Sequence, residues 1–274
     1  MAAEPPIRGT TRLTGVIGWP VAHSRSPQMH NAAFAELGMD WAYVAMPVEP
    51  ARLDAAVRGL AALGFAGVNV TIPHKQPVSR LCDELSDQAR AAGSVNTVLI
   101  AEDGSLRGET TDGAGMLHAI GEPPAGEAVV LGAGGSARAA AAALRDAGVA
   151  VALAARRPEA ANALAQELGV PAVSWPGSSL PALVVNATPV GQSGASDELP
   201  VAEPLLGDVE VVCDFAYRAD GAETGLIAAA RRRGIRSVDG LDVLVGQGAI
   251  AFRLFTGREP PVAAMRAAAR GTLS

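Results

Sequence analysis

The sequence predicts an α/β protein of two domains, the first with a mostly parallel sheet. Three observations support this. From Leu13 to Val70, apolar runs of strand length alternate with helical stretches in the order β-α-β-α-β. Residues 128–144, Ala-Val-Val-Leu-Gly-Ala-Gly-Gly-Ser-Ala-Arg-Ala-Ala-Ala-Ala-Ala-Leu, read as a buried strand, a glycine turn and an Ala-rich helix. Between these regions, residues 122–127 are rich in Pro and Gly, as a crossing between domains would be. At 274 residues and 49% hydrophobic content, the chain has ample apolar material for two cores.

Taken in order, Leu13 to Ile17 is a strand that Gly18-Trp19-Pro20 ends. His23-Ser24-Arg25-Ser26-Pro27 leads into a helix through Met29, Ala33, Phe34 and Leu37, with Pro27 suited to its first turn. Ser24 and Ser26 fall in that strand-to-helix loop, where a hydroxyl either binds a substrate oxygen or caps the helix; these residues alone favour the cap. Trp41 to Val48 is a strand, Ala51 to Leu63 a helix and Gly67 to Val70 a strand, followed by Thr71-Ile72-Pro73-His74-Lys75. A surface Lys is the ordinary reading of Lys75, but ligands of open α/β sheets gather beyond the carboxyl ends of strands, where it stands. Ser94 to Ile100 puts Asn96 at the start of another strand. Thr110-Thr111-Asp112-Gly113 opens a helix toward Ile120, and Asp112 suits a helix start.

In the second half, Gly132, Gly134 and Ala137 fit G-x-G-x-x-G/A, flanked by the strand and helix that the pattern requires. The helix N-terminus near Ser136 offers unpaired N–H groups to a phosphate, and a tight structural turn is the alternative. Strands at Val149 to Ala154, Val184 to Ala187, Val209 to Asp214 and Ser237-Val238 continue a Rossmann-like domain. Helices at Pro158 to Leu168 and residues 222–233 accompany them, and helices at Leu241 to Phe255 and Pro260 to Ala269 close the chain. Where NAD-binding versions carry an acid about 20 residues past the glycine turn, this chain has Arg156-Arg157. Two guanidinium groups there suit a 2′-phosphate, so NADP is expected over NAD.

Composition excludes other classes. With 22 basic and 28 acidic residues the formal charge is −6, and no basic run points to nucleic acid or a membrane surface as partner. Cys82 and Cys213 are too few for a disulfide framework and fit a reducing cytoplasm. No apolar stretch is long enough to span a bilayer, so a soluble, untargeted protein is expected. His23, His30, His74 and His118 lack metal-ligand spacing, and no metal is expected.

Several separated segments together resemble the shikimate dehydrogenases, NADP-dependent reductases of aromatic amino-acid biosynthesis. They are Gly18-Trp-Pro-Val-Ala-His-Ser-Arg-Ser-Pro-Gln-Met-His-Asn31, Asn69-Val-Thr-Ile-Pro-His-Lys75, Gly93-Ser-Val-Asn-Thr97 and Thr111-Asp-Gly113. Gly132-Ala-Gly-Gly135, Asn186-Ala-Thr-Pro189 and Asp239-Gly-Leu241 with Gln247 complete the series in family order. The resemblance implies a three-layer α/β substrate-binding catalytic domain, residues 1–112 with 242–274, and an NADP-binding domain, residues 113–241, facing across a cleft. It implies Lys75 as the catalytic residue with Asp112 orienting it. Ser24, Ser26 and Tyr217 would hold the substrate carboxylate, and Thr71, Asn96, Asp112 and Gln247 the ring hydroxyls. Cofactor contacts would come from Gly132, Ala133, Gly134, Gly135, Ser136, Arg156, Arg157, Thr188, Phe215, Gly240 and, more weakly, Asp87. The chain departs from the family at Thr110 for Asn, at Ala155-Arg156-Arg157 for Asn-Arg-Thr, at Gln192 for Met, and in the segment after Tyr217. The expected reaction is reversible reduction of 3-dehydroshikimate by a monomer or homodimer. A quinate or aminoshikimate dehydrogenase is the near alternative, and a non-catalytic NADP sensor the alternative of another class.

Overall fold

The computed structural model describes residues 7–175, 179–192 and 199–271. The chain divides into two compact units: one runs through Thr111 and resumes at Gln247, and the other is Asp112–Gly246. The first opens with β1 (Arg12–Gly18), α1 (Ser26–Glu36), β2 (Trp41–Pro47), α2 (Leu53–Ala62) and β3 (Gly67–Val70). It continues with β4 (Glu84–Leu85), α3 (Asp87–Ala92), β5 (Thr97–Ile100) and β6 (Leu106–Glu109). The second holds α4 (Asp112–Ile120), β7 (Glu127–Leu131), α5 (Gly135–Asp146), β8 (Ala150–Ala154) and α6 (Pro158–Leu168). β9 (Leu183–Asn186), β10 (Val211–Asp214), α7 (Gly225–Arg232) and β11 (Arg236–Val238) follow, and α8 (Gly240–Thr256) and α9 (Val262–Arg270) end the chain.

The first unit's sheet has the order β2-β1-β3-β5-β6-β4. β1 pairs in parallel with β2 and β3, as does β4 with β6, while β5 runs antiparallel to both its neighbours. The reason is local: Gly104, at φ +85°, lets the chain turn back on itself, with the Ala101 N–H donating to the Ser105 carbonyl at 3.0 Å. So short a loop joins only antiparallel strands. One face carries Ile17, Val68, Val70 and Val98 under Val57 and Leu60 of α2 and Ala89 of α3. Toward the other face, Phe34 of α1 packs on Phe252 of α8 with centroids 5.4 Å apart, and a Cβ at Gly67 would strike Phe255.

The second unit's sheet, order β11-β10-β9-β7-β8, is wholly parallel. Its first strand, β7, has β8 on one side and β9 on the other, so the direction of winding reverses between β7 and β9, where such folds bind ligands. α5 buries Ala137, Ala139, Ala140, Ala141, Ala142 and Leu144, because α4 packs on its outer side. Gly113 permits that approach: a Cβ there would lie 2.6 Å from the Ala139 carbonyl oxygen. The break between units falls inside α8, after Gly246. A Cβ on Gly246 would lie 2.5 Å from the Gly115 oxygen of α4, and one on Gly248 would strike the methyl end of Met29 in α1. Among the described residues, no helix is long and apolar enough to cross a membrane.

Candidate active site

In the first unit the loops after β1 and β3 are tied to each other. The Thr71 N–H donates to the Ile17 carbonyl at 2.9 Å and the Trp19 N–H to the Ile72 carbonyl at 3.0 Å. Trp19–Pro20 and Ile72–Pro73 are both cis. Gly18 has no room for a side chain, since a Cβ would run into the Thr71 methyl. The His74 N–H returns to the Thr71 carbonyl, and the buried His74 ring meets the Val48 carbonyl at 2.7 Å. Lys75, half-buried, is therefore carried on a braced loop, and its own carbonyl accepts the Val95 N–H.

Neither serine caps α1. The helix begins one residue before Pro27, which places buried Ser26 inside the first turn and Arg25 at the cap, with no side-chain cap bond. Ser24 instead accepts the Ser26 N–H on its Oγ at 3.3 Å. A helix end whose cap residue makes no side-chain cap bond and whose first turn holds no acid, flanked by two hydroxyls, is suited to a carboxylate.

Asn96 stands just ahead of β5, fully buried. Its Oδ1 accepts the Thr111 N–H at 2.8 Å and the Thr97 hydroxyl at 3.2 Å. With the oxygen so engaged, Nδ2 donates to the Thr111 Oγ at 2.9 Å and to Gln247 Oε1 at 3.3 Å. Behind it Asn69 of β3 donates to the Thr97 Oγ at 2.9 Å and accepts the Tyr43 hydroxyl at 2.7 Å. Asn69, Thr97, Thr111 and Tyr43 were not among the expected polar partners; the signal was an Asn interrupting the apolar strand Gly-Val-Asn-Val. Asp87 is the exposed first residue of α3, capped by Ser86, where an acid favours the helix end by itself.

In the second unit Asp112 is buried as the first residue of α4. Gly132, at φ +123°, donates its N–H to the Ala154 carbonyl at 2.8 Å, and a Cβ would approach the Ala187 oxygen to 3.0 Å. The turn is thus wedged between the ends of β8 and β9. Gly134 caps α5 with no side chain of its own, and open space lies where a Cβ would be. The backbone of Gly132, Ala133, Gly134, Gly135 and Ser136 accordingly suits an anion. Arg156 and Arg157 are exposed just beyond β8, with Arg157 at the cap of α6. A helix end beside two exposed guanidinium heads fits a diphosphate that also carries a 2′-phosphate.

Asn186 and Asp214, side by side at the ends of β9 and β10, are fully buried. Asn186 donates to Asp214 Oδ1 at 2.8 Å and accepts both the N–H and the hydroxyl of Thr188, at 3.1 and 2.7 Å. Asp214 also accepts the Ala216 N–H at 2.9 Å and the Thr224 hydroxyl at 2.6 Å. Burial raises the Asp214 pKa to about 6, and the nearby Asp239 adds repulsion, against the lowering effect of those hydrogen bonds. Half-buried Phe215 is tied to Asn186 through its N–H, and half-buried Tyr217 follows two residues on. Gly240 starts α8 where a Cβ would lie 2.9 Å from the Phe215 oxygen. Ser24, Ser26, Thr71, Lys75, Asn96 and Gln247 thus belong to one unit, and Asp112, Tyr217 and every expected cofactor residue but Asp87 to the other.

Comparison with known proteins identifies the family. A family profile described as the shikimate dehydrogenase substrate binding domain matches residues 16–98, and one described as the shikimate 5′-dehydrogenase C-terminal domain matches residues 240–270. The shikimate dehydrogenase (NADP(+)) of Rubrobacter xylanophilus is 48% identical, covering 97% of this chain and 98% of its own. The crystal structure of Thermus thermophilus shikimate 5-dehydrogenase with NADP(H) and shikimate aligns with a TM-score of 0.89 at 39% identity, covering 96% of this chain and all of that one. Quinate dehydrogenase of Corynebacterium glutamicum with NAD aligns at 0.84 and 34% identity, over 94% and 98% of the two chains. This chain belongs to the shikimate dehydrogenase family.

Proposed function

We propose that the chain catalyses the reversible, NADPH-dependent reduction of 3-dehydroshikimate to shikimate. The observation that carries this reading is near-full-length likeness to relatives of that activity, in a chain that presents Lys75 and Asp112 within the family's motifs. NADPH supplies the hydride for the carbonyl carbon. Lys75 donates a proton to the carbonyl oxygen as negative charge develops there, and in the reverse direction its free amine removes the hydroxyl proton. Asp112 orients Lys75 and a neighbouring hydroxyl. Ser24, Ser26 and Tyr217 hold the carboxylate, while Thr71, Asn96 and Gln247 take the ring hydroxyls, fixing the position that hydride transfer demands. Backbone from Gly132 to Ser136 receives the diphosphate, and Arg156 with Arg157 the 2′-phosphate; Thr188, Phe215 and Gly240 line the remainder, with Asp87 a minor contributor.

The test is NADPH oxidation with 3-dehydroshikimate and with 3-dehydroquinate, on the wild type and on Lys75→Ala. Wild-type turnover of 3-dehydroshikimate is expected to exceed that of 3-dehydroquinate. Lys75→Ala is expected to lower kcat by roughly 10²–10⁴-fold, the range for a positioned general acid. Absence of turnover on either substrate would overturn the proposal, and faster turnover of 3-dehydroquinate would assign the chain to the quinate enzymes.

A further inference from the structure

We infer that the buried Asn186–Asp214 pair is a positioning device for the NADP(H) site, fixing residues 187–190 beyond β9 and 215–224 beyond β10. The inference rests on the assignment of Thr188 and Phe215 to that site. Asn186 commits both hydrogen-bonding groups of its amide: Nδ2 donates to Asp214 Oδ1, and Oδ1 accepts from the backbone and hydroxyl of Thr188. Its main-chain carbonyl accepts the Phe215 N–H at 2.9 Å. Asp214 gathers the other side, accepting the Ala216 N–H on Oδ1 and the Thr224 hydroxyl on Oδ2. The Thr224 Oγ in turn caps α7 by accepting the Ile227 N–H at 3.4 Å. One carboxylate and one amide therefore fix the loop bearing Thr188, the loop bearing Phe215 and the start of α7.

The chemistry of the pair limits what Thr188 can do. Its hydroxyl hydrogen is directed to Asn186, and its Oγ accepts the Val190 N–H at 3.3 Å. Thr188 thus offers a ligand its methyl and carbonyl groups rather than a hydroxyl donor. Either member's loss frees these loops and leaves the other's buried polar groups unpaired.

The experiment measures NADPH affinity by fluorescence titration and the KM values for NADPH and 3-dehydroshikimate. Asn186→Ala and Asp214→Ala are each expected to raise the Kd and KM for NADPH by on the order of tenfold, the effect of losing hydrogen bonds to a buried polar group. The KM for 3-dehydroshikimate is expected to stay within about twofold, less than one hydrogen bond is worth. Asp214→Asn, whose Oδ1 still accepts from Asn186 and Ala216 and whose Nδ2 can donate to Thr224, is expected to recover most of the lost affinity. Thr224→Val, which removes one arm and keeps the side-chain shape, serves if either alanine variant fails to fold, and a smaller rise confined to NADPH is expected. Folded variants that bind NADPH as the wild type does, or that weaken both substrates together, would overturn the inference. A wild type that binds NADPH but turns over no substrate would sink the proposed function and leave this test intact.

Discussion

Asn96 and Gln247 lie 151 positions apart in the chain, yet the Asn96 amide donates to the Gln247 Oε1 at 3.3 Å in a buried setting. The bond fixes which face of Gln247 is available to a ligand, because the amide must present its oxygen to Asn96. Thr111 reinforces this, donating to the same oxygen at 3.3 Å. Asn96→Asp replaces the donor by an acceptor, so Gln247 must turn its amide over to avoid two facing oxygens. The expected result is a rise of about tenfold in KM for 3-dehydroshikimate, the worth of one buried hydrogen bond reversed. The NADPH KM should hardly change; steady-state kinetics with each substrate varied in turn check both.

Arg156 is exposed beyond β8, next to a turn whose Gly132 is bonded to Ala154. Its exposed guanidinium is available for a 2′-phosphate, and NADH has no such group. Arg156→Ala should therefore raise the KM for NADPH by roughly tenfold or more, as expected for loss of a charge-assisted pair. The KM for NADH should be unchanged, so cofactor preference narrows. An equal effect on both cofactors would place Arg156 elsewhere than at the 2′-phosphate.

Apolar content and closing signals made some elements legible in the sequence: Gly67–Val70, a short apolar run ended by Thr-Ile-Pro, and Pro158–Leu168, with its helical period, have the expected bounds. The glycine turn was legible because its backbone needs are written in residue identity, as the positive φ of Gly132 shows. β4, α3 and β6 were not anticipated, because two to six residues carry too little periodicity. The Asp103-Gly104 turn signal was nevertheless present ahead of β6. The cap of α1 went astray because Ser24 and Ser26 look like caps, whereas one residue of helix register made Arg25 the cap. Partners such as Tyr43 with Asn69, or Asn186 with Asp214, depend on which strands are neighbours, and no local pattern encodes that.

Gly113 touches α5 so closely that its substitution tests the seat of Asp112. A Cβ would lie 2.6 Å from both the Ala139 oxygen and the Ala143 methyl, and backbone cannot move aside as a flexible side-chain end can. Gly113→Ala should thus destabilise by about 1–3 kcal/mol, the usual range for overpacking. Since Asp112 precedes it on α4, kcat should fall as well. Thermal denaturation and kinetics on the same preparation check the two effects, and a variant unchanged in both would show that α4 can shift freely.

His30 and Asp214 make stability depend on pH in opposite senses. The His30 ring is fully buried, stacked on Tyr43 at 4.3 Å, with neither ring nitrogen hydrogen-bonded among the described residues, and burial lowers its pKa from 6.5 to about 3. Below pH 6.5 the unfolded chain takes up this proton and the folded one does not. Stability is therefore lost as pH falls from there toward 3, by at most about 1.4 kcal/mol per pH unit. Asp214, raised from 3.8 to about 6, holds its proton longer when folded; its contribution is full below pH 3.8 and is lost as pH rises through 6. Between those values the two slopes oppose each other. His30→Phe, which keeps a ring against Tyr43, should lose less Tm than the wild type between pH 6.5 and 4. Asp214→Asn should gain on the wild type as pH rises from 4 to about 6, then keep a constant difference. Thermal melts of the three proteins across this range measure both slopes. Parallel wild-type and His30→Phe curves below pH 6.5 would mean that folded His30 accepts a proton after all.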